Sequence, residues 1–585
     1  MAGSPTAVVE LAAYYKPYAW LALTWTIPLV GMCATGMAFV AANPRSDAVG
    51  SGLGVPINRP RPLWLAIAAA AFAAFVLGYL FLIPYHEDLV GLDYASVTAR
   101  RFAEIPIWPS TGRFFPLALQ EYNVLRLVGR SAAVYHGFSI LELFVVLICC
   151  VRILDEIPGW LRCCTLMFMM VLPSFVVAFF GIVYPERDMI VWLALWLVCL
   201  RAFDRTSRIW AFCGALVSAQ CIVYYKEPAF ILIGGFAASR LAIQAYRNRE
   251  LFRRREYARF AAAHLLEISH LVVCAVFVAV YLIAIAPHIV HAYGATPDGL
   301  GAMGNALASY ARSDWVLDVL ALVVAWRITN SAVRRRPLDP LWDAVAIGAL
   351  AYAIAFVKLG LIREYYQAPA DFIAMLYLAR LAYASLFAQP QRVALLAAIV
   401  IAWVFQRNVA DAARRVLHRK QYVQANVHLV GFLRDYATSR GQRPLELYFP
   451  YVGGFELMEL SAFLQLEGFD AGVGATTGTA GGPRFVMKTA HRYPGDRCLA
   501  SEPFQCVYAA SPQPGDLVVY LAGHELSGST LESMRRAGPE VFHFRPRNSA
   551  VERVLGLLAP RDDLQAQNAD VRVFAYGTLV AEGGD

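Results

Sequence analysis

The chain has 585 residues, 58% of them hydrophobic and 16% charged, with a formal net charge of +8 and a mean hydropathy of +0.49. Soluble domains carry about 25% charged residues, so this composition excludes an ordinary soluble enzyme and points to a polytopic membrane protein. The N-terminal segment MAGSPTAVVELAAYYKPYAW lacks the basic stretch and small-residue cleavage site of a signal peptide, so the first apolar run is expected to stay as a span.

A helix needs roughly 20 apolar residues to cross the hydrocarbon core. Runs of suitable length lie near 18–42, 62–84, 134–154, 163–183, 188–203, 208–225, 228–246, 264–287, 314–333, 341–359, 368–388 and 391–407. They predict about twelve transmembrane helices. The pair 163–203 is interrupted only by YPERD and the pair 208–246 only by YYKEP, which fits either hairpins of full spans or partly re-entrant segments.

Orientation follows from Lys and Arg in the short loops. YRNRELFRRREYARF (246–260), RRR (334–336), RAFDRTSR (201–208) and the Arg residues of 43–62 fall on one face when the spans alternate, and that face is expected to be cytoplasmic. The opposite face then receives HED (86–88), YPERD (184–188), YYKEP (224–228), PHIVHAYG (287–294), IREYYQAP (362–369) and everything after about residue 408. Basic loops lie on one side, acid-bearing and aromatic-flanked loops on the other.

Residues 85–133 form the longest loop between spans. DYASVTARRFAE (93–104) reads as a helix, IPIWPSTG (105–112) as a Pro-rich turn, and PLALQEYNVLRLVGR (116–130) as a helix lying in the membrane interface with its apolar side down. After residue 408 the composition changes. Residues 411–441 are amphipathic and helical, LELYFPYV (445–452) reads as a strand and FELMELSAFLQLEGF (455–469) as a helix, and RFVMKTA, DLVVYLAG and VRVFAYGTLV read as further strands. The expected organisation is therefore a polytopic domain over 1–408 and a soluble α/β domain over 409–585. GVGATTG in the tail lacks the Lys of a phosphate-binding loop.

Ionisable residues at membrane depth are costly and mark candidate sites. Glu87 and Asp88 sit where a span meets the outer aqueous phase. There a carboxylate can act as general base toward an acceptor hydroxyl, or it can be a solvated helix end; Asp88 is the first candidate and Glu87 the second. Asp93 reads as structural. Arg187, Lys226 and Arg363 are outer-face cations. Either they snorkel to the interface, or they neutralise a phosphate, Arg by paired hydrogen bonds and Lys as a point charge. Glu186 and Glu227 are their natural ion-pair partners. His86, His291, Tyr365 and Tyr366 are candidates for substrate contact, the tyrosines by stacking on a sugar ring; an aromatic belt is the other reading. His288 and His291 show no third ligand, so no metal site is indicated. Glu142, Glu267 and His270 lie inside spans, where they serve either proton-coupled transport or hydrogen bonds between helices. Nine of the eleven Cys lie in or beside apolar runs and act as small hydrophobes. Cys498 and Cys506 lie in the tail and can form a disulfide if it faces an oxidising compartment.

This pattern resembles the GT-C superfamily of integral membrane glycosyltransferases, which includes the protein O-mannosyltransferases and the lipid A aminoarabinose transferases. The residues that carry the resemblance are HEDLVGLDYA (86–95), the loop helices over 93–130, REYYQAPADFIAML (363–376) and the soluble tail. The commoner order of the acidic pair is Asp then Glu; here Glu87 precedes Asp88, and the span 18–42 is an extra one before the motif. The resemblance implies a sugar donor linked to a polyprenyl phosphate, with Asp88 deprotonating the acceptor hydroxyl and Arg187, Lys226 and Arg363 meeting the leaving phosphate. The expected location is a bacterial inner membrane with a periplasmic tail, and the expected partners are membrane lipid and a cell-envelope glycan, lipid or protein acceptor, with no nucleic acid; no cofactor is called for, and a divalent metal is left open, none being indicated. A transporter or flippase of a lipid-linked saccharide, an O-antigen ligase or polymerase, and a non-enzymatic scaffold are the alternatives.

Overall fold

The computed structural model describes residues 5–42, 105–128, 132–181, 184–250, 255–290, 299–388, 424–440, 444–450, 470–471, 484–490, 506–521, 528–546 and 570–577, together with 421, 457, 460 and 464. The expected span 62–84, the motif His86–Asp88, the helix 93–104, the run 391–407, His291 and Cys498 lie outside the described residues. The chain divides into two units, one formed mainly by 134–405 with 1–75 and 105–129, the other mainly by 406–585.

In the first unit, α1 (Pro5–Tyr15) and α2 (Ala19–Ala42) precede a two-stranded hairpin, β1 (Ile107–Trp108) and β2 (Arg113–Phe114), and α3 (Gln120–Val128). The helical bundle follows with α4 (Ala132–Ile153), α5 (Gly159–Met170), α6 (Pro173–Phe180), α7 (Pro185–Thr206), α8 (Ile209–Tyr225), α9 (Ala229–Arg247), α10 (Leu265–Ala284), α11 (Gly299–Ser313), α12 (Trp315–Arg334), α13 (Trp342–Lys358) and α14 (Ala368–Ala388). Among the described residues four helices are long and apolar enough to cross a membrane: Val9–Ala38, Ala229–Arg247, Leu265–His288 and Trp315–Arg334. There are five if the bent pair Leu161–Met170 and Pro173–Phe179 is one span.

That is fewer than the twelve expected. The runs 62–84 and 391–407 lie outside the described residues, and in several of the others the reason is local. The run 163–183 is broken and bent by 66°. Pro173 lacks the N–H that would continue α5, and Leu172 before it is driven to an extended conformation (φ −63°, ψ 133°). The helices α8 and α13 have only 17 residues each, and α7 carries Arg201, Asp204 and Arg205 in its second half. The outward faces are apolar: Leu23, Ile27, Leu282, Ile283, Leu322 and Trp326 are all exposed, as a lipid-facing surface requires.

Antiparallel packing sorts the helix ends. α7 and α8 form a hairpin that turns at Ser207, in the left-handed region (φ 50°), so Tyr184–Asp188 and Tyr224–Glu227 lie at one end. The segment 105–128 is tied to that same end: the Leu117 N–H donates to Tyr224 O (3.2 Å), Tyr281 Oη to Gly112 O (2.9 Å) and the Val290 N–H to Ser110 O (2.9 Å). The opposite end carries a belt of ion pairs. Arg201 pairs with Asp155 (2.7 Å) and Glu156 (2.8 Å), and Arg205 with the same two residues (2.6 and 3.0 Å). Arg380 joins Glu156 (3.2 Å) to Asp339 (2.9 Å). The basic segments 201–208, 246–260 and 334–336 all leave from this second end, since Thr206, Arg247 and Arg334 are the last residues of α7, α9 and α12.

The second unit contains a mixed seven-stranded sheet. Its strands are β3 (Leu445–Phe449), β4 (Asp470–Ala471), β5 (Arg484–Thr489), β6 (Cys506–Tyr508), β7 (Leu517–Tyr520), β8 (Glu540–Phe544) and β9 (Val571–Ala575), in the order β4-β5-β3-β7-β9-β8 with β6 also on β5. β3, β5 and β7 run parallel and β9 antiparallel to β7. Leu429, Val430, Leu433 and Ala437 of the helix over 424–439 pack on one sheet face with Leu447, Met487, Val519 and Val573. Leu531 and Met534 of α15 (Gly528–Ala537) pack on the other with Tyr448, Val518 and Phe574. The strands read from the sequence at 445, 484, 517 and 571 are present; β4, β6, β8 and α15 are additional.

Candidate functional site

The end of the bundle opposite the ion-pair belt gathers most of the described candidate residues. α7 begins with Pro at its first position and acids in its first turn, both favourable at a positive helix end. This places Arg187 on the inner side, 1% exposed. Its Nε lies 2.5 Å from Glu142 Oε2 of α4, and its Nη2 lies 3.3 Å from Glu121 of α3 and 3.3 Å from Asp188. Among the described residues three carboxylates thus surround this guanidinium. A buried Arg without such partners would carry a desolvation cost of several kcal/mol.

Lys226 follows the last residue of α8, where the backbone turns extended (φ −157°, ψ 131°). Its Nζ lies 2.8 Å from Glu186 Oε1, 4.7 Å from the ring centre of Tyr366 and 5.6 Å from that of Phe115. Glu186 is fully buried, and among the described residues its Oε2 accepts no hydrogen bond. A buried ammonium between two ring faces is held by cation–π attraction as well as by its carboxylate. Glu227 does not pair with its neighbour in sequence. It accepts instead from Arg113 Nε (2.8 Å) and the Phe114 N–H (2.8 Å), fixing the hairpin to the bundle.

Tyr365 stacks on Tyr184 (centroids 4.2 Å apart) and Tyr366 on Phe356 (4.8 Å). Both tyrosines belong to the 3-10 turn Glu364–Gln367 that enters α14. Arg363 just before it has an exposed side chain, and its N–H donates to Tyr310 Oη (3.3 Å). Arg187, Lys226, Tyr365 and Tyr366 are therefore brought to one end, with Arg363 at its rim. Asp88, Glu87, His86 and His291 lie outside the described residues.

Several polar residues of this end carry no distinctive sequence signal. Ser174, at the first turn after the break in α5–α6, donates to Asp371 Oδ2 (2.5 Å). Asp371 in turn lies close enough to Asp314, the N-cap of α12, for the two carboxyls to influence each other electrostatically. Burial, foremost, pushes the Asp314 carboxyl up to about 6. Tyr15, Gln120 and Asn123 form a further set, with Tyr15 Oη donating to Gln120 Oε1 (2.9 Å) and Asn123 Nδ2 to Tyr15 Oη (3.1 Å). Glu121 was legible only as a polar interruption of an interfacial helix. Glu142 was legible as an acid within a span, and such an acid calls for a cation; nothing local says which one.

The other ionisable groups expected within spans have protein partners. Glu267 pairs with Arg240 (2.8 Å), which also pairs with Asp204 (2.5 Å). His270 donates from Nδ1 to Leu266 O (2.7 Å) and accepts at Nε2 from Trp196 Nε1 (2.9 Å). That tautomer is the neutral one. Among the described residues no group of three or more His, Cys, Asp or Glu is placed to hold a metal. The nine Cys of the apolar runs are free thiols, and the pairing of Cys498 with Cys506 lies outside the described residues. No family model, curated protein or solved structure matches this chain.

Proposed function

We propose that this protein is a membrane glycosyltransferase that moves a sugar from a polyprenyl-phosphate-linked donor to an acceptor hydroxyl on the outer face of a bacterial inner membrane. One observation carries the reading: Arg187, Lys226, Tyr365, Tyr366 and the 105–128 segment converge on a single end of the bundle, opposite the basic loops. In this reading Asp88, or Glu87 beside it, takes the acceptor's proton as general base. The oxygen attacks the anomeric carbon, the bond to the phosphate oxygen breaks, and the polyprenyl phosphate leaves with inversion at the sugar.

Lys226 and Arg363 meet the leaving phosphate; Lys226 exchanges Glu186 for it, and Arg363 closes from the rim. Arg187, already enclosed by carboxylates, acts by positioning α3 and α4. His86, His291, Tyr365 and Tyr366 face the sugar or acceptor. The tail is periplasmic, and Cys498 and Cys506 form a disulfide there. A transporter of lipid-linked saccharide would work through Glu142, Glu267 and His270, and each of these has a fixed protein partner.

The test is release of polyprenyl phosphate from lipid-linked pentose and hexose donors by the full-length protein in nanodiscs. Asp88→Asn is expected to abolish release while leaving thermal unfolding unchanged. The Lys226→Met, Glu186→Gln pair is expected to reduce it by about tenfold or more, a loss comparable with removing one transition-state donor. Movement of intact donor across the bilayer without release would support the transporter instead.

A further inference from the structure

The helix α11 (Gly299–Ser313) joins two spans but is not one of them. At 15 residues it measures about 22 Å at 1.5 Å per residue, short of a hydrocarbon core of about 30 Å. Its residues divide into three rows at helical spacing. Ala302, Ala306 and Tyr310 face the protein. Ala306 and Tyr310 are buried, Tyr310 Oη donates to Leu361 O (2.6 Å), and a Cβ on Gly360 would meet the Ala302 Cβ at 2.9 Å.

Leu300, Met303, Leu307 and Ala311 form a second row with apolar side chains; Leu300 is 82% and Leu307 60% exposed. Gly301, Asn305 and Arg312 form a third, also exposed but polar. A helix at a protein–water boundary needs two faces, not three. The apolar exposed row has a neighbour that identifies what covers it. Leu282 and Ile283 at the end of the preceding span, and Val290 just after it, are 58%, 77% and 71% exposed, so bare apolar side chains also mark the segment that precedes α11. Lys358, which ends α13, is exposed beside the 360–363 segment that α11 contacts. Together with Arg312 it sets positive charge at the level of lipid headgroups.

We infer that α11 is an interfacial helix, seated on the bilayer at the end of the bundle that carries the candidate site, with Leu300, Met303 and Leu307 in hydrocarbon and Asn305 and Arg312 in water. Its covering partner is bulk lipid, not a second copy of the chain. The helix holds the 361–363 backbone through Tyr310, so the membrane surface and the Arg363–Tyr366 segment are placed by one element. This inference rests on the membrane location of the bundle and not on glycosyl transfer.

The experiment uses full-length protein in nanodiscs of phosphatidylethanolamine and phosphatidylglycerol, with a benzophenone amino acid placed singly at Leu300, Leu307, Asn305 or Leu322. Leu322, 72% exposed on α12, is the hydrocarbon reference. After irradiation, intact mass reports lipid adducts. Leu300 and Leu307 are expected to match Leu322, and Asn305 to give about tenfold fewer adducts, as an amphipathic helix in the interface plane requires. Equal labelling of Asn305 and Leu307 overturns the proposal, and so does capture of a second protein chain at Leu300 and Leu307. Labelling of Leu322 but not of Leu300 or Leu307 rejects the seat of α11 alone, whereas absence of adducts at Leu322 as well rejects the membrane location on which it rests.

Discussion

Arg187 and Lys226 are both buried cations, yet they are held differently, and the difference is testable. Among the described residues Arg187 has three carboxylates from three helices around it. Arg187→Met removes the guanidinium that Glu121, Glu142 and Asp188 share in a dry site, and is expected to cost about 3–5 kcal/mol. Adding Glu142→Gln to Arg187→Met should recover part of that loss, since breaking one side of a buried pair costs more than removing both. Thermal or denaturant unfolding in detergent measures each term, and additive losses would show that the two residues do not interact. Among the described residues Lys226 has one carboxylate and two ring faces, so a competing anion can displace Glu186 from it more readily than any of the carboxylates from Arg187. Inorganic phosphate or polyprenyl phosphate should therefore raise the unfolding temperature of the wild type but not that of Lys226→Met, Glu186→Gln.

Among the elements, the break at 171–172 and the cap of α12 are the places where helix geometry and charge meet. Asp314 caps α12 by accepting from the Leu317 N–H (3.3 Å), and its carboxyl is raised to about 6 by burial, with Asp318 adding repulsion. A raised carboxyl favours the folded state most below its ordinary value of 3.8. That contribution is lost as pH climbs through about 6. Asp314→Asn keeps an N-capping side chain and removes the ionisation. It should stabilise the protein at pH 7–8 by about 1 kcal/mol and flatten the dependence of unfolding temperature on pH near 6. The opposite sign holds for the loop after α4. Burial pushes Asp155 and Glu156 up, but Arg205 and Arg201 outweigh it and hold both carboxyls below their ordinary values. Their stabilisation is present at neutral pH and is lost on acidification below those values, about 1 kcal/mol after solvent screening. An Asp155→Asn, Glu156→Gln variant should lose this acid sensitivity between pH 5 and 3, as read by unfolding temperature.

For the whole molecule, the prediction concerns sides. Segments 201–208, 246–260 and 334–336 leave from one end of the bundle, and 184–188, 224–228 and 362–369 from the other. Reporter fusions truncated after residue 250 or 335 should read cytoplasmic, and those after 290 or 420 periplasmic. A cytoplasmic reading after 420 would reverse the assigned orientation of the tail, since loop charge is what sets it.

Much of this arrangement was legible in the residues themselves. A stretch of apolar side chains is a local property, so the positions of α4, α7, α9, α10, α12 and α14 follow from composition alone. Alternation of helices then carries the charged loops to their ends without knowledge of any contact. The parallel strands β3, β5 and β7 were legible for the same reason, as short β-branched and aromatic runs. The length of the spans was not. Whether an apolar run crosses in one piece depends on a proline placed as Pro173 is and on how the neighbouring helices receive the bend. The partners were not legible either: Arg187 meets Glu142 and Glu121 from 45 and 66 residues away, and Asp371 meets Ser174 across 197. Periodicity reports which face of a helix is apolar, but only packing decides which charges share the space between faces. In that dry space each charge needs a counterpart, so the fold supplied them from distant segments.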